Sequence, residues 1–173
     1  MIAYLFFHEL APGADAGDYE EGLRRFHAAL AGAGVPGFVG SRTYRVGPQY
    51  CDWYIVTTSA ALDPLNDAAV SGRRSASHTD VARHAVKFSG KLMKLAAGEY
   101  DPEAGIEVRF SKPHGMTYPD LYRALEPWTN RPAASLWRRM MVLGPPPEFC
   151  LLAKSDVSLP EEMDPQAFRR EPV

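Results

Sequence analysis

His8 closes an aromatic run formed with Tyr4, Phe6 and Phe7, and it is the residue best suited to chemistry in this chain. A histidine titrates near neutral pH, so among tyrosines and arginines it can act as general acid or base, or hold an anionic ligand. Period-two alternation sorts its neighbours into strand faces. Tyr4, Phe6 and His8 share one face; Arg42, Tyr44 and Val46 another; Asp52, Tyr54 and Val56 a third; Glu107 and Arg109 a fourth. The opposing faces, Ala3-Leu5-Phe7, Val39-Ser41-Thr43, Cys51-Trp53-Ile55 and Ile106-Val108-Phe110, are largely apolar and suit packing against helices. Trp53 and Ile55 are therefore expected to face the helices and Tyr54 the other side of the sheet. The polar-aromatic face is expected to border a ligand-sized cavity. There His8 would move protons, while Tyr4, Arg42, Tyr44, Tyr54 and Arg109 would position a small aromatic or anionic molecule. The competing expectation is structural: Asp52 pairs with Arg42, Glu107 with Arg109 of a partner sheet, and the face makes only an interface.

The remaining histidines are weaker candidates. His27 follows Phe26 at a helix face boundary, and His114 sits in a turn with Pro113 and Gly115. His78 and His84 are six apart, so on a helix they diverge by roughly 120° and cannot chelate together. No metal site is expected, and no cofactor; haem held by His8 or His84 is the third alternative. No Gly-x-Ser-x-Gly elbow, phosphate loop or Gly-x-Gly-x-x-Gly is present. The glycines from Gly32 to Gly37 follow a helix and precede a strand, the wrong order for a dinucleotide site. Cys51 and Cys150 lie in apolar runs far apart in the chain and are expected as buried thiols.

Composition bounds the partners. The 173 residues are 46% hydrophobic and 23% charged with a net charge of −2, an ordinary globular balance. No long basic run argues for nucleic acid. Lys87, Lys91 and Lys94 recur at helical spacing and suit a solvated helix face. The apolar stretch from Ile2 to Phe7 is too short for a membrane span or a leader, so the expected location is the cytoplasm.

The elements that must position these residues follow from periodicity. Strands are expected over Ile2–Leu10, Phe38–Val46, Tyr50–Thr58 and Ile106–Lys112. Tyr19, Leu23, Phe26 and Leu30 mark a first helix ended by Gly32 and Gly34. Val81, Val86, Phe88, Leu92, Met93 and Leu95 mark a second over Asp80–Ala97, after a linker carrying Leu62, Leu65 and Val70. This is the β-α-β-β-α-β order of ferredoxin-like units. A third helix over Tyr118–Trp128 and strands over Ser135–Leu143 and Glu148–Lys154 follow. Of the adjacent Arg138 and Arg139, one must point inward and one outward.

Two segments resemble one another: Thr43–Val56 and Arg139–Ala153 each run strand, Gly-Pro break, strand, and each precedes a leucine-proline-acid stretch. Such self-similarity implies one unit used twice, with equivalent hairpins around Gly47 and Gly144. The expected fold class is α+β: a ferredoxin-like unit over 1–112, a shortened α-β-β unit over 113–155, and a proline-rich acidic tail over 156–173, together closing an α+β barrel.

The first 112 residues resemble the dimeric α+β barrel superfamily, especially the antibiotic-biosynthesis monooxygenases. The likeness lies in the opening strand from Tyr4 to His8, the helix with Phe26, His27 and Leu30, the hairpin ending in Trp53–Val56, the Leu62–Val70 linker and the helix expected from His78 to Gly98. The resemblance implies two sheets closing a barrel, either between two chains or within one. It also implies a small-molecule function such as that of a cofactor-independent oxygenase or isomerase. The expected partners are a small-molecule ligand and a second copy of the chain, a monomer closing its own barrel being the alternative, with no nucleic acid and no membrane.

Overall fold

A computed structural model describes residues 1–71 and 73–173, with side chains omitted for 73–75. Eight strands form one closed barrel: β1 (Ile2–Leu10), β2 (Phe38–Val46), β3 (Gln49–Val56), β4 (Ala85–Gly98), β5 (Ile106–Phe110), β6 (Ser135–Arg139), β7 (Phe149–Ala153) and β8 (Gln166–Pro172). Among the described residues four α-helices lie outside it: α1 (Ala16–Ala31), α2 (Leu62–Val70), α3 (Arg73–Ala82) and α4 (Tyr118–Thr129). Around the barrel the order is β1-β3-β2-β8-β5-β7-β6-β4. Thus β4-β1-β3-β2 on one side matches β8-β5-β7-β6 on the other, each number raised by four. The hairpins around Gly47 and Gly144 occupy corresponding places in that order.

Local chemistry sets the helix starts. Asp15 caps α1 by accepting from the Asp18 backbone at 2.9 Å. Thr117 caps α4 and donates its own hydroxyl to Asp120 at 2.6 Å. Tyr19, Leu23, Phe26 and Leu30 bury one stripe of α1, as their spacing requires. Leu121 and Leu125 of α4 pack against Ile106, Val108 and Phe110, so the apolar face of β5 meets a helix as expected.

On the β1–β3 side the faces are the reverse of expectation. Trp53 and Ile55 lie in the barrel interior with Ala3, Leu5, Phe7, Tyr44, Cys51, Met93 and Trp137. Tyr54 lies outside, packed with Phe26 and Leu30 of α1. The hairpin explains the error. A two-residue turn at Gly47 and Pro48 pairs Val46 with Gln49, hence Thr43 with Asp52 and Tyr44 with Cys51. Directly paired residues share a face, so Arg42 and Tyr44 cannot accompany Asp52 and Tyr54.

Further expectations fail. The segment expected as a helix over Asp80–Ala97 is the end of α3 followed by the 14-residue strand β4. Its Lys-Leu-Met-Lys-Leu composition favours helix, but Lys91, Met93, Leu95 and Ala97 also alternate. Pairing with β1 and β6 decides the matter: Met93 meets Ala3 on one side and Arg139 on the other. Lys87, Lys91 and Lys94 therefore form no helical stripe. The linker Leu62–Val70 is helical, α2. The 156–173 segment is not a surface tail. Its β8 pairs with β2 and β5 and closes the barrel within one chain.

Candidate functional site

Outside the β1–β3 side of the barrel, α1, α2 and α3 cover an aromatic cleft. One part, about 220 Å³, is lined by Tyr4, Phe26, Tyr54, Leu62 and Leu65. The adjoining part, about 250 Å³, is lined by His8, Tyr19, Asp52, Val81 and Phe88. Phe6, Phe26, Tyr54 and His78 border both.

A hydrogen-bonded network sits at the wall. Asp52 is 3% exposed, and its Oδ1 accepts from the Thr43 hydroxyl at 2.5 Å while Oδ2 accepts from Tyr54 at 3.1 Å. Because Thr43 gives its only proton to Asp52, it must accept from His27 Nε2 at 2.9 Å. His27 Nδ1 meets the Ser41 hydroxyl at 2.7 Å. On the other side, His8 Nδ1 lies 2.6 Å from the Tyr19 hydroxyl, and the ring stacks on Tyr50 at 5.7 Å. His8 Nε2 is buried, stands 3.4 Å from Asp52 Oδ1, and makes no aligned hydrogen bond.

The electrostatics follow from this arrangement. Burial pushes the Asp52 carboxyl up, but its contacts with His27 and His8 outweigh that and hold it well below the ordinary carboxylate range. Burial, then the Asp52 charge, pushes Tyr19, Tyr54 and Tyr4 up, so all three phenols stay neutral. A fixed anion thus lies under a histidine whose free nitrogen borders an apolar cleft.

No protein-family model matches the chain, and no curated protein matches it in sequence at a significant level. Solved structures do. An anthrone oxidase-like protein superposes with a TM-score of 0.55 at 10% identity, over 99% of this chain and 91% of that one. A protein proposed to be a monooxygenase, from Lactobacillus acidophilus NCFM, gives 0.54 at 11% identity, over 99% and 93%. SnoaB, a cofactor-independent oxygenase from Streptomyces nogalater, gives 0.44 at 17% identity, over 59% and 97%. These likenesses show a shared α+β barrel fold.

Within that fold the structure brings together only part of the expected set. His8, Tyr4 and Tyr54 meet at the cleft. Tyr44 lies inside the barrel and donates to the Pro102 carbonyl at 2.9 Å. Arg42 pairs with Glu103 at 2.6 Å rather than with Asp52, and Arg109 with its own Glu107 at 2.6 Å. Tyr19, His27, Thr43 and Asp52 were not expected as site residues. The signal for Thr43 and Asp52 was available: counting outward from the Gly47-Pro48 turn pairs them. His27 and Tyr19 carried none, because only the docking of α1 on the sheet aims them. Among the described residues no helix is long and apolar enough to cross a membrane.

Proposed function

We propose that the cleft binds a small aromatic molecule and that His8 takes a proton from it, the chemistry of a cofactor-independent oxygenase or of an isomerase. One observation carries this: His8 Nε2 is buried, unpaired, beside the Asp52 carboxylate, and at the wall of an aromatic-lined space. Unpaired buried polar atoms are rare and call for an explanation; an atom reserved for a ligand supplies one.

For Nε2 to accept, the ring proton sits on Nδ1 and is donated to the Tyr19 oxygen. The imidazolium formed is then stabilised by Asp52 at 3.4 Å. His27 and Thr43 hold the carboxylate in place. Phe6, Phe26 and Tyr54 offer ring faces to a planar ligand, and no Lys or Arg lines the cleft among the described residues. A neutral C–H or O–H acid suits it better than an anion. The substrate carbanion or phenolate would then react with dioxygen in an oxygenase, or be reprotonated at another carbon in an isomerase. Two solved structures of similar shape, one anthrone oxidase-like and one proposed to be a monooxygenase, are consistent with this, their likeness being one of fold alone. Two four-stranded units of the same order within one chain are part of the proposal, the second lacking counterparts of α2 and α3.

Anthrone is a suitable first probe. Oxygen uptake is expected with wild-type protein and at least a hundredfold less with His8→Ala, the circular dichroism being unchanged. Deuterium exchange into a naphthol or ketone probe covers the isomerase case. Protein that neither binds such probes nor exchanges their protons, or a His8→Ala variant that matches wild type, would overturn the assignment.

A further inference from the structure

The barrel interior holds more positive than negative charge. Lys91, Arg109, Arg139 and Arg170 all reach inward from β4, β5, β6 and β8. Glu107 is the one carboxylate among the charged side chains that these strands turn inward. It takes Arg109 at 2.6 Å and Arg170 at 3.7 Å. Arg170 is further spread over the Tyr44 ring and the carbonyls of Pro102 and Ala104. Arg139 is held by the Gly144 carbonyl at 2.8 Å. Among the described residues Lys91, 5% exposed, hydrogen-bonds only the Pro147 carbonyl at 3.0 Å and stands 5.7 Å from the centre of the Phe7 ring, and Arg109 Nη2 is buried with no hydrogen-bond partner.

These two open onto one cavity at the barrel mouth, about 240 Å³, lined also by Phe7, Gln49, Gln166 and the three prolines 145–147. The wall is built, not incidental. Gly144 lets the proline loop press against β4, since a Cβ there would meet Lys91 Cα at 2.6 Å. The Arg109 guanidinium lies over the rings of Phe7 and Phe168, 4.8 Å from the centre of each. At the rim Glu9 is already engaged by Lys87 at 2.7 Å.

We infer that this mouth is a second ligand site, on the far side of the sheet from the His8 cleft, and that it takes a small organic carboxylate. Lys91 and Arg109 Nη2 supply the charge-assisted donors. Phe7 and the proline loop supply an apolar wall for the body of the ligand, which an inorganic oxyanion would not use. Burial, together with the neighbouring Arg109 and Arg139, holds the Lys91 ammonium down to about 8 against the opposing pull of Glu107. A bound carboxylate would restore its charge.

Benzoate, acetate and inorganic phosphate are titrated separately into the intact protein by calorimetry near neutral pH. Benzoate is expected to bind at least tenfold more tightly than phosphate, and Lys91→Met to weaken it at least tenfold, while Asp52→Asn leaves it unchanged. Should Lys91→Met fail to fold, the wild-type pH profile serves instead. Benzoate affinity is expected to fall as pH rises from about 7 to about 9, because Lys91, faced by Arg109, Arg139 and Glu107, loses its proton over that range while burial keeps the thiols of Cys51 and Cys150 protonated. No heat from any probe, phosphate binding as tight as benzoate, indifference to Lys91→Met, or a flat pH profile would each overturn the inference.

Discussion

Asp52 is the residue on which the first half of the molecule turns. Its depressed pKa makes it a source of stability with a defined pH window. Such a group stabilises the fold fully above the unfolded carboxyl value, about 3.9, and the contribution is lost as pH falls through the lower folded value. Asp52→Asn should therefore cost roughly 3 kcal/mol near neutral pH, the order expected for breaking a buried charged cluster, and flatten the acid side of the stability curve. Urea titrations at several pH values check both; a variant as acid-sensitive as wild type would contradict the role given to Asp52. At the same scale, burial first, then the Glu107 charge, pushes the Cys51 and Cys150 thiols up. Native protein should leave both unreactive toward a disulfide reagent over hours, with reaction appearing only on unfolding.

Among the elements, β4 shows most clearly how context overrides local preference. Its sequence favours a helix, but two sheet edges, those of β1 and β6, need a strand between them, and the chain at 85–98 supplies it. The strand ends at Gly98, which has φ of 74° and sits so close to β6 that a Cβ would meet the Ala134 carbonyl oxygen at 2.1 Å. Gly98→Ala faces both backbone strain and a clash with main chain, and should lose about 2 kcal/mol or more. Chemical denaturation measures it, and a neutral result would mean that the β4–β6 junction yields far more readily than its packing implies. The hairpin from β2 to β3 teaches the complementary lesson. Its two-residue turn fixes the register, and the register alone decides that Thr43 and Asp52 share the α1 face.

For the whole molecule, closure is the governing fact. An open sheet of this size would present two unpaired edges, and β8 removes both by joining β2 to β5. Deleting residues 165–173 should expose those edges along with part of the interior charge cluster, since Arg170 would be lost from beside Glu107. The truncated chain is expected to aggregate or to form larger assemblies through β2 and β5, as read by size-exclusion chromatography with light scattering. A soluble, monomeric, cooperatively folding product would show that β8 is dispensable. Because closure occurs within the chain, no second copy is needed to complete the barrel.

The sequence by itself determined the α+β class, the ferredoxin-like order of the first half, six of the eight strands in outline or in part, and the pairing of His8 with a tyrosine-bearing face. These follow from local causes: alternation, capping residues, and glycines at helix and strand ends. It did not determine which side of each sheet would become the interior. Alternation groups residues by face but carries no sign, and here the signs differ between halves: Val108 faces α4, whereas Trp53 faces the barrel. Nor could it place His27 or Tyr19 against Asp52, because that contact spans the docking of a helix on a sheet. Lys91 looked like part of a solvated helix face for the same reason. Only when β4 joins β1 and β6 does its side chain turn inward, where burial and neighbouring arginines give it a different chemistry.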